Sequence, residues 1–312
     1  MEDIKYITFA SGGVRGYTYL GALRALQARF NIEKQLPNIL GFSGTSVGSI
    51  FALCLLIGYS IEELIEHAAS MTTLDSIASE FDISLLISEY GLNCGNKFKH
   101  EIGDFLQKKG LSPTITMKAL KQYFKANFTV VTTALTERTS HHVYLNADTH
   151  PNLLVVDAVF MSACVPILFK PVQHDGVCYV DGAMTMSCPE CFPAQSTLAI
   201  YLTYKVNTPI NSFTNYIHRL LGTSVETQSN EYSIKCATSI ACNLPNDIAM
   251  IGAVERHINS SRINRMLKIG FYSALATTLP NFTSTMDMIL QMVLTTFVDP
   301  DYWSYENDDN ED

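Results

Sequence analysis

The sequence predicts an α/β fold with a mostly parallel central sheet flanked by helices. The chain has 312 residues, of which 47% are hydrophobic and only 16% are charged. A chain of this length and composition can bury a large core and is unlike a disordered protein. Its first 57 residues alternate short β-branched or aromatic runs with longer helical patterns. Strands that alternate with helices in this way form parallel sheets with right-handed crossovers.

The N-terminal elements follow in a regular order. A strand is predicted at residues 5–10, where β-branched and aromatic side chains lead into a glycine-rich loop. A helix follows over Tyr17–Phe30, with leucines at helical spacing. A second strand at residues 39–43 runs into another glycine-containing turn, which opens an apolar helix at residues 47–57.

Helical patterns and four further strand patterns follow. The helices are predicted at residues 61–69 and 97–108, and the strands at residues 128–133, 142–145, 177–180 and Thr197–Thr203. Beyond residue 204 the pattern is mixed. Residues 282–298 form an amphipathic pattern whose polar face lacks Lys and Arg, which favours a helix packed on the core over one lying on a lipid surface.

No internal repeat or linker divides the chain. We therefore expect one domain, with a core at residues 4–200, a helical or mixed part at 201–298 and a disordered acidic tail at 299–312. The tail holds seven acidic residues and no Lys or Arg, which leaves 23 acidic and 21 basic residues in the rest of the chain. A nearly neutral body without a basic run predicts no nucleic-acid partner.

Membrane and export signals are weak. The longest apolar run, residues 50–59, is about half of the ~20 residues that a spanning helix needs. The N-terminus lacks the basic start and apolar stretch of a signal peptide. We therefore expect an intracellular protein, cytoplasmic or peripherally bound to a membrane, with reduced cysteines.

One cysteine pair has a spacing seen in functional sites. Cys188 and Cys191 match the C-x-x-C pattern of redox motifs and zinc sites. No second pair of ligands occurs at a familiar spacing, so we predict incidental cysteines and no metal site.

Residues 44–48 read Gly-Thr-Ser-Val-Gly and match the pattern G-x-S-x-G. In this pattern Ser46 lies on a sharp turn between a strand and a helix, while Gly44 and Gly48 let neighbouring backbone approach. The serine hydroxyl is then exposed at a helix N-terminus, which favours developing negative charge. The predicted strand and helix on either side support Ser46 as a nucleophile.

Two other segments can complete such a site. The loop at residues 11–16 ends the first strand, and its backbone N–H groups can form an oxyanion hole beside Ser46. A dinucleotide site is disfavoured there because Ser11 occupies the first glycine position of G-x-G-x-x-G. Asp181 ends a predicted strand, where a carboxylate can be held at the same sheet edge and serve as the base. The alternative is that Asp181 and Gly182 form only a structural turn.

Taken together, four segments resemble the patatin-like phospholipases and acylhydrolases. They are GGVRG at 12–16, GTSVG at 44–48, DAVFMSACVPILFKPV at 157–172 and VDGAMTMSCP at 180–189, in the family's order. The resemblance spans residues 4–190 and implies a patatin-like three-layer fold. It also implies calcium-independent hydrolysis of acyl esters, without a cofactor, on a lipid or phospholipid substrate with possible peripheral membrane contact.

The same resemblance implies roles for individual residues. Ser46 is the implied nucleophile and Asp181 the implied base of a Ser–Asp dyad, supported by Gly182 and Ala183. The implied oxyanion loop consists of Gly12, Gly13, Val14, Arg15 and Gly16, with Arg15 bracing the loop. Ser162 and Pro166 match positions that pack around the dyad. The sequence departs from the family at Ser11, usually Gly, and at Ser187, usually Asn.

Two other functions stay open at the level of the sequence. A Ser-His-Asp α/β-hydrolase would need a histidine after Asp181, and His218 and His257 are available. A non-catalytic module that binds lipid or a partner would keep the same fold without hydrolysis.

Overall fold

The computed structural model describes residues 3–70, 81–203, 235–245 and 260–278, with the single positions Ile210, Tyr216 and Ser233. The strands are β1 (Tyr6–Phe9), β2 (Gly41–Thr45), β3 (Gly91–Asn93), β4 (Asn127–Leu135), β5 (Ser140–Leu145), β6 (Ile167–Phe169), β7 (Val172–His174), β8 (Val177–Asp181), β9 (Thr197–Thr203) and β10 (Thr238–Asn243). The helices are α1 (Tyr17–Phe30), α2 (Val47–Leu56), α3 (Ile61–Ser70), α4 (Ile83–Glu89), α5 (Asn96–Lys108), α6 (Met117–Phe124), α7 (Val155–Ala163) and α8 (Ser260–Thr278).

A mixed sheet forms the centre of the fold, with the strand order β10-β9-β1-β2-β4-β8-β7. The run from β10 to β4 is parallel throughout. Strands β5, β7 and β8 add antiparallel pairings, and β5 pairs with β4 outside this order. Strands β3 and β6 form a separate two-stranded sheet. The predicted α/β class, with a mostly parallel sheet flanked by helices, is confirmed.

The two faces of strand β1 show how the sheet is covered. Successive side chains of a strand point to opposite faces. Phe9 is fully buried, and its ring contacts Tyr19 of α1 and Phe51 of α2, each at a centroid distance of 5.9 Å. On the other face, Tyr6 stacks on Phe192 at 4.5 Å. Helices therefore cover one face of β1, and the segment around residue 192 covers the other.

Most predicted elements are present, and the shift of one strand affects the site. Strand β2 begins and ends two residues later than the predicted 39–43, so it runs into the residue before Ser46. The short strands β3, β6 and β7 were not predicted, because three residues are too few to show an alternating pattern. The predicted helix at 282–298 and the acidic tail at 299–312 lie outside the described residues.

Helices α1 and α8 pack at backbone contact through a glycine on each. A Cβ added to Gly21 would lie 1.9 Å from the Leu267 carbonyl oxygen, and one added to Gly270 would lie 1.8 Å from the Thr18 carbonyl oxygen. Helix α8 also contacts β10, which pairs with β9 of the central sheet. We therefore propose that these C-terminal elements belong to the same domain as residues 4–200.

Replacing either glycine should separate the two helices. We expect Gly21→Ala and Gly270→Ala each to lower the free energy of unfolding by about 2 kcal/mol or more, because a methyl group has no space beside a backbone carbonyl. Denaturant unfolding followed by circular dichroism measures this loss. Gly103→Ala in α5 is the matched control, since its Cβ would meet only Pro113 Cβ at 3.3 Å. Wild-type stability in both α1 and α8 variants would contradict the described packing.

Candidate active site

Strand β4 brings the ends of two other strands together. Strand β2 pairs with the first half of β4, ending with Thr45 opposite Val131. Strand β8 pairs with the second half, ending with Asp181 opposite Thr132. Strand β5 pairs with residues in both halves. Since a strand has two edges, β2 and β8 must share the edge that β5 leaves open.

The directions of the two strands decide which ends meet. Strand β2 runs parallel to β4, whereas β8 runs antiparallel to it. Their carboxyl ends therefore face each other, so Ser46, which follows β2, lies next to Asp181. The sequence argument expected Asp181 at a strand end on the same sheet edge as Ser46. The two residues do meet. They meet because β8 is antiparallel to β4, so that its carboxyl end faces the carboxyl end of β2.

Ser46 and Asp181 are joined by a short hydrogen bond. The Ser46 hydroxyl donates to Asp181 Oδ2 at 2.7 Å, and the Ala183 N–H donates to Asp181 Oδ1 at 2.8 Å. Only 6% of Ser46 and 3% of Asp181 is exposed to solvent. A carboxylate at this distance is within reach of the hydroxyl proton.

Burial changes the acidity of Asp181. Loss of solvent raises the pKa of Asp181 from 3.8 to about 6, although the hydrogen bonds from Ala183 and Ser46 lower it. The Asp181 backbone is fixed as well. Its N–H donates to the Cys164 carbonyl at 3.0 Å, and its carbonyl accepts from the Thr133 hydroxyl at 2.9 Å.

The backbone at Ser46 is strained in the manner expected of the G-x-S-x-G turn. Ser46 has φ 55° and ψ −128°, a region that residues with a side chain rarely adopt. The turn is held by Ser162, whose hydroxyl accepts from the Ser46 N–H at 2.9 Å and donates to the Val131 carbonyl at 2.5 Å. Close backbone packing adds to this, since a Cβ on Gly44 would lie 2.2 Å from Gly48.

The loop predicted to hold oxyanion donors lies against the same turn. It forms a short 3-10 helix over Gly13–Gly16, and a Cβ on Gly16 would lie 3.0 Å from a methyl group of Val47, the residue after Ser46. The Gly12 carbonyl accepts from the Arg15 backbone N–H at 3.2 Å and from Arg15 Nε at 3.1 Å. In a trans peptide the N–H points opposite to the carbonyl. Arg15 therefore orients the Gly12–Gly13 peptide, with the Gly13 N–H directed away from Arg15.

The other residues predicted to support the site lie on three different segments of the fold. Gly182 packs on β4, where a Cβ would lie 2.2 Å from the Val131 carbonyl oxygen. Pro166 lies in the turn between α7 and β6, and Val14 lies within the 3-10 helix.

Two threonines of β4, Thr132 and Thr133, bond to the segments around the site but were not predicted from the sequence. A polar residue in a predicted buried strand is the signal that could have identified them.

The cysteine pair has no reactive character in this structure. Burial raises the pKa of Cys188 to about 12 and the pKa of Cys191 to about 11, so both thiols are protonated at neutral pH. Among the residues that the structure describes, no three His, Cys, Asp or Glu side chains are grouped so as to hold a metal ion. In the same residues, no helix is both long and apolar enough to cross a bilayer.

Comparison with known sequences places the chain among its relatives. Residues 7–190, which include Ser46, Asp181 and the loop at residues 11–16, match the sequence model of the patatin-like phospholipases. The chain belongs to the patatin-like phospholipase family. The predicted family is thereby confirmed over more than half of the chain.

This patatin-like chain has viral relatives. It is 30% identical over 230 residues to protein R571 of Acanthamoeba polyphaga mimivirus, covering 69% of this chain and 74% of the relative. It is 27% identical over 191 residues to a protein of Invertebrate iridescent virus 6 named as a probable lipid hydrolase, 463L, covering 59% of this chain and 61% of the relative.

The fold is shared with solved structures at low sequence identity, for example VipD. VipD from Legionella pneumophila superposes with a TM-score of 0.56 at 15% identity, over 88% of this chain and 66% of VipD. This likeness shows the fold alone, and the chain spans slightly less than two thirds of VipD.

The acidity of Asp181 gives a prediction that does not depend on catalysis. We expect its side-chain pKa near 6 in the wild type, and a higher pKa in Ser46→Ala, because the variant loses a hydrogen bond that favours the ionised form. Carbon-13 NMR of labelled aspartate over a pH series measures both values, and the signal missing in Asp181→Asn assigns the resonance. A pKa near 3.8 in the wild type would contradict the described burial.

Proposed function

We propose that this chain is a serine acyl hydrolase that cleaves acyl esters of phospholipids, with Ser46 as nucleophile and Asp181 as base. The observation that carries the proposal is the 2.7 Å hydrogen bond from the Ser46 hydroxyl to a buried Asp181 carboxylate. The family and the relative named as a probable lipid hydrolase support a lipid ester as substrate. Phospholipase A-type cleavage, which releases a fatty acid, is the specific reaction proposed.

In the first step, Ser46 Oγ forms a bond with the ester carbonyl carbon while its proton passes to Asp181 Oδ2. The carbonyl oxygen becomes an oxyanion. We propose that it is stabilised by backbone N–H groups of the loop at Gly12, Gly13 and Val14 and by the N-terminus of α2. Asp181 then gives its proton to the departing alcohol, which leaves an acyl group on Ser46.

In the second step, water hydrolyses the acyl group on Ser46. Asp181 takes a proton from a water molecule whose oxygen attacks the acyl carbon, and the proton returns to Ser46 Oγ as the ester bond breaks. The products are a free fatty acid and the original serine. Each proton in the cycle moves between Asp181 and an oxygen atom of the serine, the alcohol or water.

The geometry favours this dyad over the histidine triad considered from the sequence. In a Ser-His-Asp triad the imidazole stands between the hydroxyl and the carboxylate. Here the carboxylate binds the hydroxyl directly, so no ring fits between Ser46 and Asp181. His218 and His257 lie outside the described residues, and alanine variants of each would test them.

Removing either member of the dyad should remove most or all of the turnover. We expect Ser46→Ala to lose fluorophosphonate labelling and fatty-acid release. We expect Asp181→Asn to lower kcat by about 10²–10⁴-fold, as for loss of a general base. Release from a panel of phospholipids and short acyl esters measures both effects and ranks the substrates. Loss of activity in His218→Ala or His257→Ala, with survival of Asp181→Asn, would contradict the dyad.

The Asp181 variant carries an internal control for folding. Folding raises the pKa of Asp181 from 3.8 to about 6, so the buried carboxylate is ionised above pH 6 and opposes folding there. Asp181→Asn removes that charge, and we expect it to be at least as stable as the wild type at pH 8. An inactive but stable variant then reports on chemistry and not on unfolding.

The rate should depend on pH through the same group. The base must be ionised, so kcat/KM should fall below pH about 6 with a slope of one proton and be level from pH 7 to 8. A soluble short-chain ester, assayed from pH 4.5 to 8.5, avoids effects of pH on a lipid surface. A rate that stays constant down to pH 4.5 would exclude a base with a pKa near 6.

A further inference from the structure

Two serine residues that are far apart in the sequence contact each other beside the site. Ser11 follows β1 and immediately precedes Gly12 of the proposed oxyanion loop. Ser187 lies six residues after Asp181. Their hydroxyl oxygens are 2.7 Å apart, and each residue is only 7% exposed. A buried hydrogen bond therefore joins segments that are 176 residues apart in the chain.

Ser11 is held through every polar group that it has. Its N–H donates to the Ser187 carbonyl at 2.8 Å, its carbonyl accepts from the Tyr19 hydroxyl at 2.8 Å, and its own hydroxyl meets that of Ser187. The next two residues are Gly12 and Gly13, which have no side chain to fix their conformation. Ser11 is therefore the anchored residue from which the loop begins.

The segment that reaches Ser187 is compact. The Gly182 carbonyl accepts from the Thr185 N–H at 3.1 Å and from the Met186 N–H at 2.8 Å. The Ala183 N–H binds Asp181 Oδ1. The path from Asp181 to Ser187 is thus a closed turn, and the two serines join it to the start of the loop.

We propose that Ser11 and Ser187 form a positioning pair, which fixes the loop at Gly12–Gly16 relative to Asp181 through their hydroxyl–hydroxyl bond. The proposal rests on the proposed function, since it assigns the pair a role in that reaction. The pair acts by geometry, because oxyanion donors stabilise a transition state only when held close to the position that the oxyanion will occupy.

The chain offers a matched control at a second buried hydroxyl pair. The Ser43 hydroxyl donates to the Thr8 hydroxyl at 2.9 Å, and both residues are fully buried between β1 and β2. Ser43→Ala removes a similar bond from the sheet without touching the loop. A purely structural role for Ser11 and Ser187 predicts that all three alanine variants behave alike.

The test compares Ser11→Ala, Ser187→Ala, the double variant, Ser187→Thr and Ser43→Ala. We expect each single alanine variant of the pair to lower kcat about tenfold with KM changed less than about twofold, as for a small misplacement of the reacting groups. The double variant should be no slower than the slower single one, because both remove the same bond. Ser187→Thr, which keeps the hydroxyl, and Ser43→Ala should keep kcat within about threefold of wild type.

Two further readouts separate positioning from other effects. The acid limb of the pH profile should not move in the alanine variants, because burial, Ala183 and Ser46 are unchanged around Asp181. Amide hydrogen exchange of residues 12–16, measured without substrate, should accelerate about tenfold in Ser11→Ala and Ser187→Ala but not in Ser43→Ala. Any of three results would overturn the proposal. They are equal kcat in the wild type and the alanine variants of the pair, additive losses in the double variant, and unchanged hydrogen exchange of residues 12–16.

Failure of the proposed function gives a different result. A wild type that takes up no fluorophosphonate and cleaves no ester would refute the hydrolase, while hydrogen exchange still decides whether the two serines hold the loop. A labelled, active wild type with unaffected alanine variants would refute the positioning pair alone.

Discussion

The end-to-end meeting of β2 and β8 on one edge of β4 is the constraint on which the site depends. Thr45 and Asp181 pair with the adjacent residues Val131 and Thr132, so the carboxyl ends of β2 and β8 are fixed by main-chain hydrogen bonds. The 2.7 Å contact between Ser46 and Asp181 follows from this backbone arrangement. Loss of register in either strand would separate the two side chains, because a one-residue slip turns a side chain to the other face of the sheet.

Side-chain hydroxyls complete what the strands begin. The Thr132 hydroxyl lies 2.8 Å from the Met161 carbonyl and 2.9 Å from the Val180 carbonyl, which ties α7 and β8 to β4. Ser162 of α7 then supports the strained Ser46 backbone and contacts β4 at Val131. These groups are buried, so each hydroxyl without its partner would leave a polar atom unsatisfied. The strain at Ser46 is sustained by a network that joins α7, β4, β8 and the turn after β2.

The burial of Asp181 sets the acid–base properties of the site. The carboxylate of Asp181 is stabilised by two hydrogen-bond donors, and loss of solvent outweighs them. A carboxyl group with a pKa near 6 is ionised at neutral pH, yet it is more basic than that of an exposed aspartate. VipD shares the fold at 15% identity, which shows how far sequences can diverge around a common framework. Function therefore has to be argued from the site and not from the fold.

The sequence by itself determined the fold class, the family and the candidate nucleophile and base. Local patterns were sufficient for the fold class and the nucleophile, because the strand, glycine turn and helix around Ser46 are consecutive in the chain. The family and the base came from the resemblance of four ordered segments. The tertiary structure alone decided that β8 is antiparallel, that Ser162 holds the Ser46 turn and that Ser11 bonds Ser187. The two side-chain contacts join residues more than 100 positions apart, and the pairing of β8 depends on strand direction. Neither a distant contact nor a strand direction leaves a periodic signal in the sequence.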